Sequence, residues 1–140
     1  MIRIGLLGAG RIGQVHARAV SSVPTAQLVS IADPSSTAAE SVQDNYGCDI
    51  RTIEQVLVSD DIDAVIICTP TDTHADLIEQ FARAGKAIFC EKPVDLDLKR
   101  VQACLAVVDE TQATLMVGFQ RRYDPDFQAL RTAIDAGQIG

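Results

Sequence analysis

The chain has 140 residues, a net charge of −7 and a pI near 4.6, and 47% of its residues are hydrophobic at a mean hydropathy of +0.13. That length suits one domain, residues 1–140, with a respectable core, and the acidic balance argues against a nucleic-acid partner, whose phosphates call for a basic face. No run of about 18 apolar residues occurs, so no membrane span is expected, and the opening residues lack the pattern of a secretory signal.

The first element is an apolar strand, Ile2-Arg3-Ile4-Gly5-Leu6-Leu7, which runs into Gly8-Ala9-Gly10-Arg11-Ile12-Gly13 and then into a helix with Ile12, Val15, His16, Ala19 and Val20 at helical spacing. Strand, Gly-x-Gly-x-x-Gly and helix in that order are what a dinucleotide-binding turn requires, although glycine turns between strand and helix also occur for purely structural reasons. Gly8 permits the tight turn, Gly10 lets a pyrophosphate reach the backbone, and Gly13 lets the helix pack closely on the sheet. The helix N-terminus then offers unpaired N–H groups to phosphate.

A second strand, Leu28-Val29-Ser30-Ile31-Ala32, ends at Asp33, twenty residues past Gly13. An acid at that place accepts hydrogen bonds from a ribose, although Asp33 could instead cap the helix that starts near Ser35-Ser36. It also favours NAD over NADP. A carboxylate about 4 Å from a 2′-phosphate charge costs ~1 kcal/mol in water-like surroundings and ~4 kcal/mol at an effective dielectric of about 20. Pro34-Ser35-Ser36 brings no arginine to reverse that preference.

A helix over 36–46 follows, with Ala38, Ala39, Val42 and Tyr46 on one side and Gly47 to stop it. A short strand is expected near Asp49-Ile50-Arg51, then a brief helix through Val58 opened by a Thr52/Gln55 capping box. The fourth strand, Ala64-Val65-Ile66-Ile67-Cys68, is apolar on both parities, as in the middle of a parallel sheet. It ends at Thr69-Pro70-Thr71-Asp72-Thr73-His74, and a helix with Leu77, Ile78, Phe81 and Ala82 on one stripe runs to Gly85.

The fifth strand, Ala87-Ile88-Phe89-Cys90, ends at Glu91-Lys92-Pro93. The next helix, about 96–110, spaces Leu98, Val101, Leu105 and Val108 helically beside Cys104. Strand six is Leu115-Met116-Val117-Gly118-Phe119, followed by Gln120-Arg121-Arg122-Tyr123-Asp124-Pro125 and a last helix with Phe127, Leu130 and Ile134. This alternation predicts an α/β fold, a doubly wound parallel sheet of the Rossmann type in three αβα layers with strand order 3-2-1-4-5-6. The polar motifs then all stand at carboxyl ends of strands and converge on one crevice.

The four cysteines, Cys48, Cys68, Cys90 and Cys104, lack C-x-x-C spacing and read as small buried hydrophobes of a reducing, cytoplasmic protein. His16 and His74 are too few and too scattered for a zinc site, so no metal is expected. His16 reads as a packing histidine. His74, beside the N-cap types Thr71, Asp72 and Thr73, could pack or cap, or line the crevice with Thr69 and Pro70. Lys92, held out of helical geometry by Pro93 across a bond that can be cis, projects from strand five. Its ammonium could hydrogen-bond a substrate hydroxyl and favour its deprotonation, or it could be a solvated surface lysine.

Four segments, Gly-Ala-Gly-Arg-Ile-Gly-Gln-Val-His at 8–16, Thr-Pro-Thr-Asp-Thr-His at 69–74, Phe-Cys-Glu-Lys-Pro-Val at 89–94 and Gly-Phe-Gln-Arg-Arg-Tyr-Asp-Pro at 118–125, resemble the glucose-fructose oxidoreductase / inositol dehydrogenase / MocA family. The resemblance covers essentially the whole chain. It implies an NAD-dependent dehydrogenase moving hydride from a secondary hydroxyl of a cyclitol or sugar, myo-inositol-like, with Lys92 orienting that hydroxyl. It also implies cofactor contacts at Gly8, Gly10, Arg11, Ile12, Gly13, Asp33, Thr69, Pro70, His74, Glu91 and Gln120, the last standing where relatives often carry asparagine or methionine. The family's second, mostly β domain, which supplies the catalytic histidine, has no counterpart in these residues. Without that base the ~10²–10⁴ that general base catalysis contributes would be lost. The chain alone is therefore expected to bind NAD and turn over poorly, with apolar surface near strand six favouring self-association. A nucleotide-sensing module without chemistry, or a site for another adenosine ligand such as S-adenosylmethionine, stays open on the glycine turn and Asp33 alone.

Overall fold

Strand-forming runs that are apolar on both parities need cover on both faces, and the chain meets that need by winding helices in opposite directions from a central strand. Among the residues it describes, 1–139, the computed structural model has one six-stranded sheet in the order β3-β2-β1-β4-β5-β6. The strands are β1 (Ile2–Leu7), β2 (Ala26–Ala32), β3 (Asp49–Ile50), β4 (Ala64–Ile67), β5 (Ala87–Cys90) and β6 (Leu115–Val117), all paired in parallel. Between and after them lie α1 (Arg11–Ser21), α2 (Ser36–Tyr46), α3 (Ile53–Leu57), α4 (His74–Arg83), α5 (Leu98–Thr111) and α6 (Pro125–Asp135). The expected strand order is the observed one, and the winding reverses between β1 and β4.

Two apolar layers sandwich the sheet. Leu6, Leu28, Ile31 and Ile66 meet Ala17, Val20, Ala39 and Val42 on the α1/α2 face. Leu7, Val65, Ile67 and Ile88 meet Leu77, Ile78, Phe81, Cys104 and Val108 on the α4/α5 face. Adjacent residues such as Leu6 and Leu7, or Ile66 and Ile67, thus point to opposite layers, as the two-residue period of a strand requires.

The local punctuation follows the sequence closely. The cap of α2 is Ser35 and not Asp33, its side chain accepting from the Ala38 N–H at 3.3 Å, and Gly47 ends the helix as expected, at φ +69°. Thr52 and Gln55 form the reciprocal capping box of α3, with bonds of 2.8 and 3.2 Å. α5 stops differently, because Gln112, not a glycine, adopts the left-handed conformation at φ +54°.

Three helices differ from the expected stripes. In α1 the sheet-facing residues are Gly13, Ala17 and Val20, while Ile12 and Val15 are 39% and 44% exposed. The closest approach occurs at Gly13, which turns the small residues inward and the branched ones toward the crevice. In α5, Cys104 and Val108 are buried and Val101 half-buried, but Leu98 and Leu105 are exposed. The sheet ends at β6, so α5 rests on α4 and the sheet's margin along a narrow stripe. In α6, capped by Asp124, no residue is buried, and Phe127, Leu130 and Ile134 stay about half-exposed beside the 3₁₀ turn at Gln120–Tyr123.

The four free cysteines are all buried. Burial pushes Cys68 and Cys90 up to about 12 and Cys104 up to about 11, with neighbouring acids and thiols adding to the rise. These thiols keep protons in the folded chain that the unfolded chain releases above about pH 8.5. Their contribution to stability is therefore whole below that pH and is lost as pH rises toward 11–12, at up to ~1.4 kcal/mol per thiol per unit. Urea denaturation should give a lower midpoint at pH 10 than at pH 7.5, and Cys90→Ala should narrow the gap. An equal gap in wild type and variant would contradict this assignment.

Candidate cofactor and substrate cleft

The glycine turn is shaped by contacts, not by looseness. Gly8 has φ +97°, and a Cβ placed on it would lie 2.6 Å from the Cys68 carbonyl oxygen. A Cβ on Gly13 would lie 2.0 Å from the Gly8 carbonyl oxygen, so α1 can seat against the end of β1 only without a side chain there. Gly10 differs: nothing among the described residues stands within 4 Å of its would-be Cβ, and no side chain caps the helix N-terminus that it opens. A cradle of bare backbone in front of a helix N-terminus fits a pyrophosphate.

Asp33 performs two tasks at once. Its Oδ2 accepts from the Ala9 N–H at 2.7 Å, stapling β2 to the glycine turn, and its Oδ1 accepts from the Ser35 N–H at 2.8 Å at the start of α2. Each carboxylate oxygen retains a lone pair for a ribose hydroxyl. Asp33 lines a cavity of about 390 Å³ with Ala32, Pro34, Thr69 and the Ile50–Gln55 segment. The sequence marks that segment only as a strand end and a capping box. Its place at the carboxyl end of β3 is the signal that marks it as part of the crevice. The guanidinium of Arg51, which belongs to this segment, is engaged by Asp61, Asp49 and Ser59, and the two carboxylates raise its pKa. It is thus compensated and offers little to a 2′-phosphate.

A second cavity of about 460 Å³ lies on the other side of the winding reversal. Arg11, Ile12, Thr69, His74, Glu91, Lys92 and Gln120 line it, together with Val15, His16, Cys68 and Thr71, which the sequence alone does not assign to the site. Thr69 belongs to both cavities, so the two are lobes of one cleft along the carboxyl edge of the sheet. Pro70 stands exposed at the start of the 3₁₀ turn Thr71–Thr73, outside the residues that line either lobe.

Glu91 and Lys92 of the Glu91-Lys92-Pro93 turn line the second lobe, and the Lys92–Pro93 bond is cis. The Glu91 carboxylate lies against Gly118, whose would-be Cβ falls 3.2 Å from Glu91 Oε1, and the same oxygen accepts from His16 Nε2 at 2.8 Å. His16 also meets the Phe89 ring edge-on, with centroids 5.0 Å apart, so the packing role expected of it holds while it lines the cleft. His74 is 2% exposed, and both its ring nitrogens face main-chain carbonyls: Nδ1 that of Pro93 at 2.7 Å, Nε2 that of Thr69 at 2.8 Å. It lies in the cleft wall but presents no unengaged ring nitrogen to a cofactor.

Residues 2–119 match the family described as "Oxidoreductase family, NAD-binding Rossmann fold", that of glucose-fructose oxidoreductase, inositol dehydrogenase and MocA. The chain belongs to this family. It is 66% identical over 139 residues to inositol 2-dehydrogenase of Rhizobium meliloti (strain 1021), covering 99% of this chain and 42% of that protein. It is 44% identical over 142 residues to scyllo-inositol 2-dehydrogenase (NAD(+)) of Bacillus subtilis (strain 168), covering 99% of this chain and again 42% of the relative. Among solved structures, scyllo-inositol dehydrogenase of Lactobacillus casei with bound NAD(H) and scyllo-inositol superposes with a TM-score of 0.93 at 28% identity, over 100% of this chain and 42% of that one. The chain thus spans about two fifths of the length of the family members it matches, and the cleft described above is that of the family's NAD-binding fold.

Gly10 and Gly13 should separate experimentally. Gly10→Ala should leave urea stability within about 1 kcal/mol, the scale of a helix-cap change, while weakening NAD about ten-fold or more by filling the cradle. Gly13→Ala should lower stability by about 3 kcal/mol or more, because the new methyl meets backbone. Equal stability losses in both variants would contradict the separate roles.

Proposed function

We propose that this chain is the NAD-binding part of a dehydrogenase that oxidises a secondary hydroxyl of a cyclitol or sugar, myo-inositol-like, with Lys92 as its substrate-orienting residue. One observation carries the reading: a carboxylate at one end and an amine at the other end of a single cleft, joined through Thr69 along the sheet edge. The inositol dehydrogenases among the relatives support the substrate class.

NAD, when bound, supplies the hydride acceptor. The chain's own groups divide the remaining work by chemistry. The α1 N-terminus and the bare backbone at Gly8 to Gly13 hold the pyrophosphate, with Arg11 and Ile12 at the rim of the second lobe. Asp33 holds the adenosine ribose and disfavours a 2′-phosphate. Lys92 brings an ammonium beside the half-buried Glu91 into the nicotinamide-side lobe, where it donates to a substrate hydroxyl and favours loss of its proton. Glu91 and Gln120 line the same lobe.

The proton itself needs an acceptor, and the two histidines here are engaged, His16 with Glu91 and His74 with two carbonyls. We therefore assign the base to a second, substrate-binding region of the longer protein. The 140-residue chain by itself binds NAD and oxidises polyols poorly or not at all. The exposed apolar side chains of α6 and of Phe119 mark a surface suited to that region or to a second copy of the chain.

Calorimetric titration with NAD and, separately, NADP tests the cofactor assignment. NAD should bind at least about ten-fold tighter than NADP, and Asp33→Ala should weaken NAD by about ten- to a hundred-fold, since it removes both a ribose acceptor and the staple to Ala9. Lys92→Ala should leave NAD affinity nearly unchanged in this chain. Equal losses in both variants would contradict the division of roles, and S-adenosylmethionine binding in preference to NAD would overturn the reading.

A further inference from the structure

Lys92 is gripped through its two chain neighbours. On one side His16, from the second turn of α1, reaches the carboxylate of Glu91. On the other, His74, the first residue of α4, reaches the carbonyl of Pro93 and with its second nitrogen the carbonyl of Thr69. Both histidines come from helices that begin in the loops of the cleft, one after β1 and one after β4. These elements flank the winding reversal, while Lys92 follows β5. Gly118, the residue after β6, leaves the Glu91 carboxylate room to lie against it and meet His16.

We propose that His16 and His74 form a two-sided clamp on the Glu91-Lys92-Pro93 turn and act as positioning residues, setting where the Lys92 ammonium stands in the cleft. The proposal rests on the reading of Lys92 given above. The clamp ties the lysine to the helix whose N-terminus faces the pyrophosphate and to the loop residue, Thr69, that both lobes share. Neither histidine touches the reacting atoms. A contact to the flanking carboxylate and one to the flanking carbonyl hold the backbone from which Lys92 projects, and that backbone's φ and ψ select the rotamers with which its side chain sets out. His74 is suited to this work by its burial and by partners that only accept, so each ring nitrogen that carries hydrogen has an oxygen waiting for it.

The chemistry of the two contacts makes opposite demands on substitutions. The His16 contact uses Nε2, whose place a glutamine amide nitrogen reproduces and an asparagine does not. The His74 contact to Pro93 uses Nδ1, whose place an asparagine amide nitrogen reproduces and a glutamine does not.

The chain has three lysines, Lys86, Lys92 and Lys99. Lys86 is tied to the carbonyls of Ser59 and Ile62, and Lys99 is exposed, so Lys99 is an internal standard. Competitive labelling of the purified chain with trace acetic anhydride, read by mass spectrometry as the Lys92 to Lys99 ratio, reports the placement of the Lys92 amine. His16→Leu and His74→Leu should each shift that ratio by about five-fold, the factor that one lost hydrogen bond of ordinary strength corresponds to. His16→Gln and His74→Asn should return it to within about two-fold of wild type, whereas His16→Asn and His74→Gln should not. If a leucine variant fails to fold, the Asn/Gln pair at that position carries the test, because a general loss of packing moves both members alike. An unchanged ratio in all variants, or the same rescue order at both positions, would overturn the clamp. Failure of NAD to bind the wild-type chain, with the labelling pattern intact, would instead count against the function proposed above and leave the clamp standing.

Discussion

The contact between Gly13 and the Gly8 carbonyl is the constraint on which the rest of the cleft depends. Because a Cβ there would sit 2.0 Å from a carbonyl oxygen, α1 can approach the end of β1 more closely than any side chain allows. That approach determines which residues of α1 face the sheet, where its N-terminus points and how far His16 extends toward β5. It also fixes the Ala9 N–H, which donates to Asp33 and so binds the end of β2 to the same turn. One missing methyl group thus aligns the helix terminus, the carboxylate and the histidine that together define the cleft.

How much of this was legible in the sequence depends on whether the cause is local. Caps and stops were readable residue by residue where a pattern names them: Thr52 with Gln55, and Gly47, each act within one helical turn and appear where the sequence puts them, while the α2 cap fell to Ser35 and not to Asp33. The strand order followed from alternation and the glycine fingerprint, since right-handed crossovers leave few alternatives. The inward stripe of α1 was not readable from hydrophobicity, because the nearest approach selects Gly13 and Ala17 for being small and turns Ile12 and Val15 outward. The stripe of α5 failed for a different reason: Leu98 and Leu105 keep helical spacing, but the sheet ends before it can cover them. Spacing tells which residues share a face, and only the neighbours tell whether that face is covered.

The candidate site divides along the same line. Gly8, Gly10, Gly13 and Asp33 were readable because a motif of fixed spacing forces their geometry. The Ile50–Gln55 wall, Val15, Cys68 and Thr71 were not, because they reach the cleft only through the packing of separate elements. His74 shows both sides. Its position after Thr69 to Thr73 suggested the crevice, and it is there, yet its nitrogens are taken by carbonyls contributed from β4's loop and from Pro93, nineteen residues on. A side chain's neighbourhood was visible in one dimension, and its hydrogen-bond partners were not.

Charge is distributed to suit an anionic ligand in an acidic protein. With a net charge of −7, a diphosphate would be repelled by the chain as a whole unless the cleft differed from its surroundings. Several acids outside the cleft are matched to nearby cations: Asp63 with Arg3, which holds its carboxyl down to about 2, Asp61 and Asp49 with Arg51, and Asp76 and Glu79 with Arg100. Exposed pairs of this kind add little stability, but they shorten the reach of each carboxylate's field. Inside the cleft the α1 N-terminus, Arg11 and Lys92 stand against the lining acids Asp33, Glu54 and Glu91, and on the reading proposed above Asp33 meets a neutral ribose and not a phosphate. An acidic surface and an anion-binding cleft are compatible because the field that matters at a few ångströms is set by the groups lining the cleft and not by the sum over the chain.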